Sequence, residues 1–359
     1  MTTQSAVLVF PIDISQSQNF SCIAAKLGLR VIAATSEIID PIKERNGVVR
    51  LPYVTAHNFD IELLRLTERE NIRLIYAPHI AVWNHILSLK EKHFFPFFIE
   101  ICNDHPVQEK WEPYSRAYTW SDQCLNSLEL VSTPYSDPLQ KHIYAGLHRS
   151  CSQIPGESDD DKIWLLTQIA RYSQRGNVVE IGSAYGRSAY ALTLLAKHHS
   201  IGSVVCVDPW NYEASKSQGD KAVLINDAVK SVNWDNLFSV FCAELAVFDN
   251  VNYIRLPSHL AASIYCDAVK DGFLESPEFG RTPLSEDIAI LHIDGNHRYD
   301  DVVRDINTWR PFVLPGGWIL IDDYLWAFGD GPKVAGDRLL EKIVAKTSFV
   351  VGDTLCIQI

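Results

Sequence analysis

Asn177-Val178-Val179-Glu180-Ile181-Gly182-Ser183-Ala184-Tyr185-Gly186-Arg187-Ser188 is the stretch on which this 359-residue chain turns. Val178, Val179 and Ile181 form a short apolar run with Glu180 near its end. Gly182 and Gly186 punctuate a turn, and Ala189 to Ala196 has helical composition. Strand, glycine turn and helix make the opening unit of a nucleotide-type α/β sheet. A glycine lets backbone approach a ligand where a Cβ would not fit, and the start of the helix offers unpaired N–H groups. The details argue against the ordinary dinucleotide loop and against an NAD oxidoreductase. That loop is G-x-G-x-x-G, whereas here three residues separate two glycines. The acid ahead of the turn would also repel a pyrophosphate.

A ligand carrying an ammonium, a sulfonium and only a small carboxylate suits this turn better, and S-adenosylmethionine has that charge pattern. A second cue is Ser203-Val204-Val205-Cys206-Val207-Asp208, an apolar strand ending in an acid that can accept hydrogen bonds from two ribose hydroxyls. Together the two stretches resemble the first two motifs of the class I S-adenosylmethionine-dependent methyltransferases. The resemblance implies a Rossmann-like α/β sheet, with Glu180, Gly182, Ser183 and Gly186 around the methionine end and Asp208 on the ribose. Pro209 and Trp210 follow and are read as lining the adenine or substrate pocket. The alternative for Trp210 is a surface aromatic packed on the loop. Val251 to Leu256 is the next strand. The loop after it approaches adenine in class I methyltransferases, which makes Ser258 a cofactor contact by the same likeness.

A second constellation lies further on. Ile288 to Ile293 is an apolar strand ending in Asp294-Gly295-Asn296-His297, and Val302 to Trp309 reads as a helix. Pro315-Gly316-Gly317 turns the chain into Trp318 to Ile321, which ends in Asp322-Asp323-Tyr324. Neighbouring parallel strands that end in acids bring them to the sheet edge where α/β ligand sites form. Three carboxylates there suit a hard cation such as Mg²⁺, Mn²⁺ or Ca²⁺. Without a cation their like charges would repel. The alternatives are that Asp322 ligates or caps while Asp323 is solvated, or that both cap the next turn. His297, with an ordinary pKa of about 6.5, can act as a base near neutral pH. His292 is read as part of the strand core.

These motifs resemble the metal-dependent O-methyltransferases that act on macrolide and novobiocin sugars, over about residues 155–359. The resemblance implies metal binding by Asp294, Asp322 and Asp323 and a base role for His297. It also likens the region of Gly329 to Lys333 and Arg338 to a substrate loop.

Composition bounds the rest. A formal net charge of −12 and a pI near 5.4 disfavour a nucleic-acid partner. Eight cysteines without a C-x-x-C pair suggest neither a zinc knuckle nor a disulfide framework, and point to a reducing cytoplasm. Met1 to Phe10 lacks the pattern of a signal peptide, and no stretch approaches a membrane span.

The length suits two domains. In the first third, strands alternate with helices, which predicts a small, mostly parallel α/β domain. Its order, with Asn71-Ile72-Arg73-Leu74-Ile75-Tyr76-Ala77-Pro78, resembles the domain that precedes the catalytic core in ATP-grasp ligases. The functional reading is a substrate-docking or dimerising module, the alternative is an inherited scaffold with no site of its own, and no ATP chemistry is expected. The expected organisation is an α/β domain over 1–130, a linker and lid over 131–172 hinged near Pro155-Gly156-Glu157, and a methyltransferase domain over 173–359. Residues 227–247 are read as helical, and 272–285 as an irregular excursion near the substrate side.

The expected activity is methyl transfer from S-adenosylmethionine to a hydroxyl of a sugar or other small acceptor, assisted by a divalent cation such as Mg²⁺. No nucleic acid or membrane partner is expected, and homo-oligomerisation stays open. The alternatives are a metal-independent N- or O-methyltransferase and a non-catalytic cofactor-binding interaction protein.

Overall fold

The computed structural model describes residues 5–39, 46–126 and 133–359. It divides into two compact units, Met1–Ser115 and Arg116–Ile359. The expected boundary at 130 and 131 lies outside the described residues. The observed division falls within helix Pro106–Cys124, whose Trp120 and Cys124 are buried in the core of the second unit. From sequence this stretch reads as a structured connection, on Pro106, Pro113 and the aromatic cluster of Trp111, Tyr114, Tyr118 and Trp120; the structure makes it a helix with Trp111 and Tyr114 exposed.

The first unit is a parallel sheet of β1 (Ala6–Val9), β2 (Arg30–Thr35), β3 (Val49–Arg50), β4 (Ile72–Tyr76) and β5 (Glu100–Ile101). Its order is β3-β2-β1-β4-β5. All four residues of β1 are buried, as in a strand covered on both faces. Helix Phe59–Arg69 turns Phe59, Leu63 and Leu66 into that core. Pro52, which cannot donate to a ladder, follows the short β3.

The second unit contains β6 (Asn177–Ile181), β7 (Val204–Val207), β8 (Val251–Ile254), β9 (Phe273–Ser276), β10 (Gly280–Pro283), β11 (Ile288–Ile293), β12 (Val313–Ile321), β13 (Thr347–Val351) and β14 (Thr354–Gln358). Seven of these form one sheet, in the order β13-β14-β12-β11-β6-β7-β8. Strands β12, β11, β6, β7 and β8 run parallel, and β14 runs antiparallel between β12 and β13. The fold is Rossmann-like.

Side-chain alternation sorts the strands into two cores. Val178, Cys206, Ile290 and Leu320 face helices Asp160–Arg171 and Arg187–His198. Ile181, Val207, Ile293 and Ile321 face helices Ser258–Asp271 and Tyr299–Trp309. Among the described residues, no helix is long and apolar enough to cross a membrane.

Two sequence expectations need correction. Residues 272–285 are not irregular: β9 and β10 form an antiparallel hairpin tied to β8, where the Asn252 amide donates to the carbonyls of Leu274 and Gly280. The segment ends at the opening of β6, where Ser285 donates its backbone N–H to the Asn177 side chain at 2.9 Å. That is the opposite sheet edge from the acids. Residues 227–247 are not one helix either. Helix Val223–Ala228 is followed by a 3₁₀ turn, and Asn233 caps a new helix, Trp234–Leu245, by accepting from the Asn236 N–H at 3.0 Å.

Candidate active site

Strand register builds the site. Val207 and Ile293 both pair with Ile181, and Ile321 pairs with Ile293. The residues that follow, Asp208, Gly182, Asp294 and Asp322, therefore form a row along one sheet edge. The ladder continues through them. Gly182 N–H donates to Val207 O at 2.8 Å, Asp294 N–H to Ile181 O at 2.8 Å, and Asp322 N–H to Ile293 O at 2.9 Å. Gly182 has φ +87°, and a Cβ there would lie 2.0 Å from the Asp294 carbonyl oxygen. Only glycine allows the β6 and β11 loops to cross so closely.

The row opens on a cleft of about 680 Å³ lined by Gly182, Asp208, Pro209, Trp234, Ser258 and Asp294, among others. Each oxygen of the half-buried Asp208 accepts one backbone N–H, from Trp210 at 2.7 Å and from Ala184 at 3.0 Å. A carboxylate has about four acceptor positions, so capacity for two hydroxyl donors is left. Burial pushes the Asp208 carboxyl up to about 6, against the lowering effect of those two N–H groups.

Several residues expected at the cofactor lie elsewhere. Glu180 is fully buried and does not line the cleft. It faces the helix-covered core, where its Oε1 meets His292 Nδ1, also fully buried, at 3.1 Å. Burial raises the Glu180 carboxyl, but the His292 hydrogen bond and charge outweigh that and leave it lowered. The pair follows from register, since Glu180 and His292 are cross-strand partners.

Trp210 is 1% exposed and belongs to the wall behind the cleft. It packs on Phe238 and Phe241, and its indole N–H donates to Ala184 O at 2.9 Å. Neither reading of Trp210 matches the structure: it lines no part of the cleft and is a core side chain rather than a surface aromatic. Ser183 is buried away from the cleft, and Gly186 caps helix Arg187–His198 at φ +94°. Ser258 lines the cleft, with its hydroxyl bonded to Asp305.

The acids separate into two groups. Asp294, His297 and Asp323 each bring a ligand atom within 4.8 Å of the others, as do His292, Asp294 and Asp322. Asp323 has φ +52° and contacts His297 Nε2 at 2.7 Å. Burial raises the Asp323 carboxyl, and the His297 contact outweighs it and holds it below the usual range. The buried Asp322 accepts from the Thr354 hydroxyl on β14.

Sequence reading missed three residues here. Lys162, 7% exposed, donates from Nζ to Asp294 Oδ2 at 2.8 Å and to Asp322 Oδ2. Trp234, rather than Trp210, is the tryptophan in the cleft wall. Thr354 comes from an antiparallel strand far along the chain. The signal available for Lys162 was the acidic run Asp159-Asp160-Asp161 before it, which marks a helix start. Nearby, Arg187 donates to the carbonyls of Ile154 and Ser158, so the Pro155-Gly156-Glu157 segment is pinned at both ends.

The sheet order, the glycine turn and the acid row define a class I methyltransferase fold. Residues 179–324 match a family model described as a methyltransferase domain. That stretch thus carries a methyltransferase domain. Solved structures with some likeness include the O-methyltransferase NovP, at 16% identity over 68% of this chain and 98% of that one, with a TM-score of 0.38. CalS11, a TDP-rhamnose 3'-O-methyltransferase of calicheamicin biosynthesis, is 14% identical over 71% of this chain and 96% of that one, with a TM-score of 0.37. MycE from the mycinamycin pathway, in complex with Mg, SAH and mycinamycin VI, is 14% identical over 59% of this chain and 54% of that one, with a TM-score of 0.35. A 41-residue stretch, 11% of the chain, is 46% identical to the uncharacterized protein R132 of Acanthamoeba polyphaga mimivirus. It spans 19% of the length of that curated relative.

Proposed function

We propose that the protein transfers the methyl group of S-adenosylmethionine to a hydroxyl of a sugar or another small acceptor, with a divalent cation such as Mg²⁺ at the acid cluster. The observation that carries this reading is the row of Asp208, Gly182, Asp294 and Asp322 opening on one cleft. The donor chemistry fits a hard cation: Asp294 and Asp323 supply oxygens close together, and Asp322 adds another beside Asp294. When bound, such an ion supplies Lewis acidity that lowers the pKa of the acceptor hydroxyl.

This chain's own residues do the remaining work. Gly182 admits the methionine end, and Asp208 accepts from the ribose hydroxyls. His297 takes the hydroxyl proton at Nδ1; both of its ring nitrogens are buried without a hydrogen-bond partner among the described residues, but Nε2 lies 2.7 Å from an Asp323 oxygen, which leaves Nδ1 for the acceptor. Asp323, at Nε2, steadies the resulting imidazolium. In-line alignment of oxygen, methyl and sulfur supplies much of the acceleration. A net charge of −12 suits a small acceptor over a nucleic acid. The amino-terminal unit serves as a docking or dimerisation module in this reading.

The deciding experiment uses methyl-labelled S-adenosylmethionine and a panel of sugars and sugar nucleotides, with products read by mass spectrometry, in chelator and after Mg²⁺ is restored. A labelled O-methyl product that disappears in chelator is expected. Full turnover in chelator, or label on nitrogen, selects a metal-independent enzyme. Cofactor binding with no product from any acceptor selects the interaction protein.

Asp208 adds a pH signature. Its folded-state value near 6, raised from 3.8, means that its contribution to stability is present below about pH 4 and is lost as pH rises to about 6. The ribose prefers the charged form. Affinity for S-adenosylhomocysteine should therefore increase with pH through that window, falling about tenfold between pH 7 and pH 5 on acidification. Asp208→Asn should weaken binding and flatten the profile, as measured by calorimetric titration. A profile unchanged by the substitution would remove Asp208 from the ribose site.

A further inference from the structure

We infer that Lys162 is the resident cation of the acid cluster: its ammonium stands between Asp294 and Asp322 and competes with a divalent ion for those two carboxylates. The inference takes its ligand from the proposed metal reading and needs no turnover to be tested.

Lys162 is fixed from both ends. Its backbone N–H is held by the Asp159 side chain at 2.9 Å in the first turn of helix Asp160–Arg171. Its Nζ bonds Asp294 at the end of β11 and Asp322 at the end of β12. The two carboxylates differ in their other contacts, since Asp322 also accepts from Thr354. An ammonium this buried would be costly alone, and so would the buried Asp322 carboxylate beside the half-buried Asp294, so the three groups satisfy one another. A divalent ion drawing on Asp294 and Asp322 would lie against the ammonium, and like charges at that separation repel. Binding therefore requires the lysine to turn away. Asp353 also feels the Lys162 charge, which gives a displaced ammonium an acidic neighbour. Lys162 is thus a positioning residue that holds the two strand ends together and sets how tightly the metal is held.

The test is Mn²⁺ titration of the full chain by electron paramagnetic resonance, comparing wild type with Lys162→Met. The variant should bind Mn²⁺ at least about tenfold more tightly, the opposite of what a lost structural support would do. Its melting temperature should be lower without metal and should recover more on adding Mn²⁺ than that of wild type. Equal or weaker Mn²⁺ affinity in a folded variant overturns the inference. Should the variant fail to fold, wild type decides: amine acetylation of Lys162, followed by peptide mass spectrometry, should be faster with Mn²⁺. An unchanged or slower rate overturns the inference. Wild type that turns over fully in chelator would instead remove the metal from the reaction and leave these binding results standing.

Discussion

Asp294→Asn is expected to reduce methyl transfer by at least about 10²- to 10³-fold, a loss of the size seen when one preorganised electrostatic contact is removed. The substitution preserves shape. The Asp294 backbone N–H stays on Ile181 O, and only the charge changes. Asp208 and Gly182 are untouched, so S-adenosylhomocysteine affinity should stay within a few-fold of wild type by calorimetry. Lys162 keeps Asp322 as a charged partner, which limits the loss of stability. The combination to look for is a fall in kcat without a matching loss of cofactor binding, the mark of an interaction made at the reacting centre. Near-normal turnover by the asparagine variant would dismiss Asp294 from the chemistry.

Gly182→Ala should have the opposite character and destroy the site through the backbone. A Cβ at Gly182 would lie 2.0 Å from the Asp294 oxygen and 2.6 Å from its carbonyl carbon, both of them main-chain atoms. Nothing flexible can move aside. Left-handed strain and overpacking together should cost about 2–5 kcal/mol. The crossing of the two loops would open, and the cofactor cleft with it. Thermal denaturation and cofactor calorimetry should both register the loss. Gly186→Ala is the control. Its φ is +94°, but the clash at 3.1 Å is with the Phe241 ring. It should retain part of its cofactor affinity. A Gly182→Ala protein that melts and binds like wild type would show that the loops tolerate separation.

The parallel core was legible because Val178–Ile181, Val204–Val207, Ile288–Ile293 and Trp318–Ile321 are apolar runs, broken only by Glu180 and His292, each followed by glycine or acid. Such runs state both a buried strand and its ligand-facing end. Glu180 misled because a motif position fixes a residue's place on the strand and leaves open which face its side chain takes. Register with His292 turned it inward. Trp210 misled in a similar way, since an aromatic beside a ribose acid can face the ligand or the wall behind it. Lys162 was invisible for another reason. Its partners lie 132 and 160 residues further on, and no local pattern announces a lysine that meets carboxylates from two other strands.

The hydroxyl of Thr354 on Asp322 has a bearing on recombination between enzymes of this kind. The hairpin of β13 and β14 resembles a detachable trim piece, exchangeable without touching any parallel strand. It nevertheless carries one of the groups that hold an acid of the cluster in place. A chimera that imports a foreign hairpin inherits whatever side chain stands opposite Asp322, and with an apolar residue there the carboxylate would lean on Lys162 alone. A safe crossover therefore lies either beyond Thr354, or ahead of β12 so that Asp322 and its partner on β14 come from the same parent.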